Sequence, residues 1–187
     1  MSQLMLFPLG SILLPEGKMK LRIFEPRYKR LVKEASQRDG TFGICLFEKE
    51  GEGSSLSCVG TQAKIVDFEL LDDGLLGLTV IGMKRFMIQR VKTEFDGLRV
   101  ANVEWLPSWD VVDIEDRHQF IVDHLRQVYQ QFPQLGEMYD QCFFDDASWV
   151  TQRWLELLPI PKSQFDFLLL QSDCSTAMEF LSQSIEP

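Results

Sequence analysis

The chain has 187 residues, a formal net charge of −9, four cysteines and two histidines. A chain of this length loses about 70% of its unfolded surface on folding, so its core needs no metal or disulfide. The acidic balance argues against nucleic acid as a partner, because affinity for phosphates depends on Lys and Arg releasing counterions.

Leu4, Leu6 and Phe7 form a short apolar run closed by Pro8, and Ile12 to Leu14 form a second, closed by Pro15. Both read as short strands or extended loops bounded by breakers. Met19, Leu21 and Ile23 then alternate with Lys18, Lys20 and Arg22, the two-residue repeat of a half-buried strand. The period changes at Phe24. Pro26 suits the first turn of a helix, Glu25 places negative charge at its positive end, and Tyr28, Leu31, Val32 and Ala35 share one apolar face. The seven cations from Lys18 to Lys33 read as the solvated side of this strand and helix.

Asp39-Gly40 marks a turn and Phe42 to Phe47 a buried strand, whereas Glu48 to Ser57 is polar enough to predict a mobile surface loop. From Val59 onward, apolar strand patterns are separated by turns at Asp72-Asp73-Gly74 and Asp96-Gly97. One strand is expected to end at Gly82, another to start at Arg85, and Pro107 to close the series. Several short strands with one early helix suggest a closed or nearly closed antiparallel barrel.

After Pro107 the pattern becomes helical. Phe120, Ile121, Leu125, Val128 and Phe132 form one stripe, and Val150, Trp154, Leu155 and Leu158 form another that stops at Pro159-Ile160-Pro161. Two more helices are expected from Ser163 and from about Ser175. The fold class is therefore α+β: a barrel with one early helix over residues 1–110, then a small helical bundle over 111–187.

The chain offers little chemistry. His118 and His124 lie six residues apart, about 120° around a helix and about 9 Å along it, too far to share a metal. No phosphate loop, His-Glu-x-x-His or Gly-x-Ser-x-Gly motif occurs. Cys45 sits in an apolar run and reads as a core residue, and Asp145-Asp146 before Ala147-Ser148 reads as a helix start. The four cysteines, Cys45, Cys58, Cys142 and Cys174, form no Cys-x-x-Cys pair and are expected to be reduced. With no secretory pattern and no apolar run of about 18 residues, a soluble cytoplasmic protein without membrane association is expected.

Leu6-Phe7-Pro8-Leu9, Pro15-x-Gly17 and Leu21-Arg22-Ile23-Phe24-Glu25-Pro26-Arg27-Tyr28 resemble the N-terminal, substrate-recognition domain of the ATP-dependent protease Lon, in its small stand-alone bacterial form. Gly60 to Ile65, Asp73-Gly74, Leu78-x-Val80-x-Gly82, Arg85-Phe86, Trp149-Val150, Arg153 and Leu157-Leu158-Pro159 extend the resemblance over almost the whole chain. It implies a PUA-like β-barrel with a helical bundle and a polypeptide or protein partner; no cofactor and no metal are expected. It also implies a non-catalytic module, since the residues of an ATPase or a Ser-Lys protease do not appear in this chain.

On that basis the expected function is binding of unfolded or exposed apolar polypeptide segments. Fourteen Phe and four Trp supply candidate contacts. At the strand-to-helix corner, Phe24, Tyr28 and Phe86 are the expected apolar contacts, with Arg27 and Arg85 as orienting charges. The alternative is a small-ligand binder or enzyme with a pocket between barrel and bundle, for which Cys45, Cys58, His118 and His124 would be the groups to test. RNA binding through the basic opening helix is a third reading.

Overall fold

A computed structural model of the chain describes residues 2–50 and 53–187. The strands among the described residues are β1 (Ser2–Leu9), β2 (Lys18–Ile23), β3 (Thr41–Glu50), β4 (Gly53–Leu70), β5 (Leu76–Thr93) and β6 (Arg99–Trp105), with helix α1 (Pro26–Ser36) between β2 and β3. They run in the order β2-β5-β4-β3-β1-β6, and a further β5–β6 pairing closes five of them into a barrel with β2 attached outside the ring. Every pairing is antiparallel except β1 with β3, which is parallel because α1 lies in the connection that returns the chain to the same direction.

Two strand expectations are corrected. The Gly82 break is absent: β5 runs unbroken from Leu76 to Thr93, pairing with β2 through Leu76–Ile81 and with β6 through Phe86–Thr93. Gly82 is the point of exchange, where a Cβ would lie 2.1 Å from the Leu14 carbonyl oxygen. The Glu48–Ser57 loop is instead part of the β3–β4 hairpin, with Phe47 opposite Leu56 and Lys49 opposite Ser54. Backbone pairing carries that extension without an apolar pattern, and Ser57 anchors it by accepting from Leu46 N at 3.0 Å and donating to Val59 O at 2.7 Å. Gly51 and Glu52 lie outside the described residues. The Ile12–Leu14 run is buried but belongs to no strand among the described residues.

The helical part comprises a 3₁₀ turn at Asp116–His118, then α2 (Gln119–Gln131), α3 (Pro133–Gly136), α4 (Ala147–Leu157), α5 (Lys162–Leu169) and α6 (Ser175–Ser184). Asp146 caps α4 as its sequence suggests, accepting from Ser148 N at 2.9 Å. One apolar cluster joins Ile12, Leu14, Leu46 and Val59 of the strand half to Ile121, Leu125, Trp149 and Leu155 of the helices. A second lies under α1, and a third, with Leu6, Cys45 and Phe86, fills the barrel. The Asp166 carboxylate on α5 accepts from Cys58 N and Val59 N at 3.0 and 3.1 Å, fastening the bundle to β4.

Candidate functional site

The corner between β2 and α1 forms as its residues dictate. Glu25 is extended, Pro26 occupies the first helical position, and Tyr28 N and Lys29 N both donate to Glu25 O at 3.0 Å. The Glu25 side chain makes no cap; it turns to Arg27, 3.0 Å away. The Tyr28 ring, almost fully buried, stacks on Phe7 with centroids 4.1 Å apart, and burial pushes its hydroxyl up in pKa.

This corner borders a groove of about 620 Å³. Among the described residues its apolar lining includes Phe7, Leu9, Met19, Phe24 and Phe47, and its charged lining is Lys20, Arg22, Arg27 and Arg99 against one acid, Glu25. Phe24 stands at the corner with 60% of its surface in solvent. Ser11 borders this groove and two neighbouring depressions, of about 540 and 210 Å³, so the concave surface continues across the β1–β2 connection. One neighbour is walled by Leu157 to Pro161 and the other by Tyr129, Tyr139, Arg153 and Glu156.

Acidic partners take up much of the basic opening segment. Arg22 pairs with Asp73, and Arg30 is held by Asp96 at 2.8 Å, Glu94 at 2.9 Å and Glu34 at 3.4 Å. Arg27, besides Glu25, donates to Gly97 O at 3.3 Å and lies over the Tyr28 ring.

Of the five residues expected at the site, Phe24, Arg27 and Tyr28 share the groove; Arg85 and Phe86 do not line it. Arg85 is 2% exposed, donates to Leu169 O and, at 2.6 Å, to Pro107 O, and lies over Trp109. Burial pulls its pKa down, but two carbonyl acceptors satisfy the charge. It ties β5 to the end of α5. Phe86 is fully buried inside the barrel, in space left by glycine: a Cβ on Gly60 would sit 2.4 Å from its ring. Adjacent residues in a strand point to opposite faces, so Arg85 and Phe86 serve two interiors and present no surface.

Of the alternative chemical groups, Cys45 and Cys58 lie on β3 and β4, whereas both histidines lie in the helical part. Cys45 is buried in the barrel, with its thiol pushed up to about 12 by desolvation. His124 packs edge-on to Phe120, and His118 lines a cavity of about 180 Å³ with Cys174. The Cys174 thiol is pushed up by burial, which keeps it protonated and a poor nucleophile. Among the described residues no group of three or more His, Cys, Asp or Glu is placed to hold a metal ion, and no helix is long and apolar enough to cross a membrane.

Phe47 and Arg99 were not anticipated at the groove. Each is separated from the corner in sequence and reaches it only through the β1–β3 and β1–β6 pairings, which no local pattern encodes.

The family model described as the ATP-dependent protease La (LON) substrate-binding domain matches residues 3–163. Among solved structures, a Lon N-terminal domain protein from Xanthomonas campestris is 32% identical, with 100% of each chain covered and a TM-score of 0.77. The N-terminal domain of Mycobacterium avium complex Lon protease, 14% identical over 97% of each chain with a TM-score of 0.65, shares the fold. Cereblon from Danio rerio is 28% identical over 101 residues and cereblon from Gallus gallus 29% over 100, each match taking in 52% of this chain. The matches span only 23% and 22% of those two curated relatives. By the extent of the family match and the full-length structural likeness, the chain belongs to the LON substrate-binding domain family.

Proposed function

We propose that this chain is a non-catalytic recognition module that takes exposed apolar segments of other polypeptides into the groove at the β2–α1 corner. The observation that carries this reading is Phe24, a large ring 60% in water that lines a depression of about 620 Å³ together with Phe7, Leu9, Met19 and Phe47. Covering such a ring returns roughly 25 cal/mol for each Å² of apolar surface removed from water. The description of the family as a substrate-binding domain supports a polypeptide partner. The net charge of −9 and the ion pairs along α1 weigh against RNA.

The test is an anisotropy titration of the purified protein into fluorescently labelled, reduced and carboxymethylated α-lactalbumin, with the native form as control. Saturable binding of the unfolded form alone supports the reading. Absence of binding at high micromolar protein contradicts it.

One observation favours a second reading, a small ligand at the junction of barrel and bundle. Arg153 Nη1 is buried with no hydrogen-bond partner among the described residues, beside the 210 Å³ depression bounded by Tyr129 and Tyr139. A rise in Tm on screening small carboxylates, lost in Arg153→Lys, would favour it.

A further inference from the structure

Among the described residues, β2 has a neighbouring strand on one side only. It pairs with β5 from Lys18↔Ile81 to Ile23↔Leu76, and the sheet order ends with it. In an antiparallel pair, residues that exchange both main-chain bonds with the partner alternate with residues whose N–H and C=O point the other way. Two bonds fix the phase. Gly17 O accepts from Gly82 N at 2.8 Å, so Gly17 faces β5, and Lys18 N donates to Tyr139 Oη at 3.1 Å, so Lys18 faces away. Met19, Leu21 and Ile23 therefore bond to β5, while Lys20 and Arg22 turn their N–H and C=O outward. Tyr139 closes the edge at Lys18, and beyond it Lys20 and Arg22 both line the groove.

We propose that this edge receives an extended segment of another polypeptide as an added strand, with apolar residues at alternate positions and acidic residues between them. The proposal rests on the polypeptide-capture reading above and specifies its mode. Main-chain bonds to Lys20 and Arg22 supply sequence-independent affinity, and side chains on one face of the added strand reach the apolar lining residues beside Phe24. Charge selects the rest. Arg22 and Arg27 have acidic partners, whereas Lys20 and Arg99 have no ion pair among the described residues and leave the groove short of negative charge. A second copy of this chain is a poor occupant, because edge-to-edge pairing would set the cations of β2 against themselves. Edge lysines repel most strands in this way and admit an acidic one.

The experiment follows amide exchange by NMR in the full chain, with and without reduced, carboxymethylated α-lactalbumin. Addition should slow exchange at Lys20 and Arg22 by about tenfold or more while leaving Met19, Leu21 and Ile23, already bonded to β5, unchanged. Lys20→Pro removes one outward N–H without touching the β5 ladder and should weaken binding by about tenfold, whereas Lys20→Gln keeps the N–H and should weaken it far less. If Lys20→Pro does not fold, exchange in the wild-type chain decides alone. Blocking the cysteines with iodoacetamide, which leaves them neutral, should also weaken binding; equal affinity overturns the acidic preference. Binding without protection at Lys20 and Arg22 overturns strand addition and leaves capture standing. Absence of any binding overturns both. Protection that rises with protein concentration alone, or that poly(U) reproduces, assigns the edge to a second copy or to RNA and overturns the proposed occupant.

Discussion

Glu156 Oε2 accepts from the backbone N–H of Leu14 at 3.0 Å, joining α4 to the β1–β2 connection. Its other oxygen accepts from Arg153 Nε at 2.5 Å, and Arg153 Nη2 donates to Pro15 O at 2.6 Å. Gly17 leaves the room: a Cβ there would lie 2.0 Å from Glu156 Oε2. The clamp positions the loop carrying Ser11, and with it one wall of the groove. Breaking one member of a buried pair strands the other charge, so Glu156→Gln should lower unfolding free energy by about 3 kcal/mol, read from urea denaturation.

The exchange point on β5 predicts a contrast between two glycines. Gly82→Ala would push a methyl into the Leu14 backbone and should cost about 2–3 kcal/mol, since main chain yields less than a side-chain tip. Gly10→Ala meets nothing within 4 Å and should stay within about 0.5 kcal/mol of wild type by the same urea measurement.

Arg30 beside Asp96 holds the Asp96 carboxyl down at about 2, helped by the Leu98 N–H. An unfolded Asp titrates at about 3.9, so between these values the unfolded chain binds more protons than the folded one. The stabilisation is full above the unfolded value and is lost as pH falls toward the folded one. Asp96→Asn should therefore lower the urea midpoint near neutral pH, with the gap from wild type closing as pH falls from about 4 to about 2. A constant gap would contradict the linkage.

Arg85 separates stability from binding. Arg85→Met leaves the Leu169 and Pro107 carbonyls without their donor and should cost about 3 kcal/mol. Below its melting range the variant should bind unfolded polypeptide within about twofold of wild type, because the residue sits outside the groove.

The strand-to-helix corner was legible because its cues are local: a change of period at Phe24 and a proline at the first helical position. Helices α2, α4, α5 and α6 were equally legible from their apolar stripes, whereas the single turn α3 buries no residue and offers no such pattern. What failed was whatever depends on pairing. A polar segment at Glu48–Ser57 reads as loop until β3 and β4 align it, and a glycine at position 82 reads as a strand end although it marks a change of neighbour. The parallel β1–β3 contact has no signature in either strand. The site divided along the same line. Phe24 and Arg27 belong to the corner itself, whereas Arg85 and Phe86, expected beside them, lie on β5, where their alternating side chains go to two interiors.

The groove assignment is tested most directly by titrating wild type and Phe24→Ser into the same labelled, carboxymethylated α-lactalbumin. Phe24 is largely in solvent, so the substitution should change stability by no more than about 0.5 kcal/mol. A groove that captures apolar segments predicts an affinity weaker by about tenfold or more for Phe24→Ser, with both proteins equally folded. Equal affinity for the two proteins would place the binding surface elsewhere on the molecule.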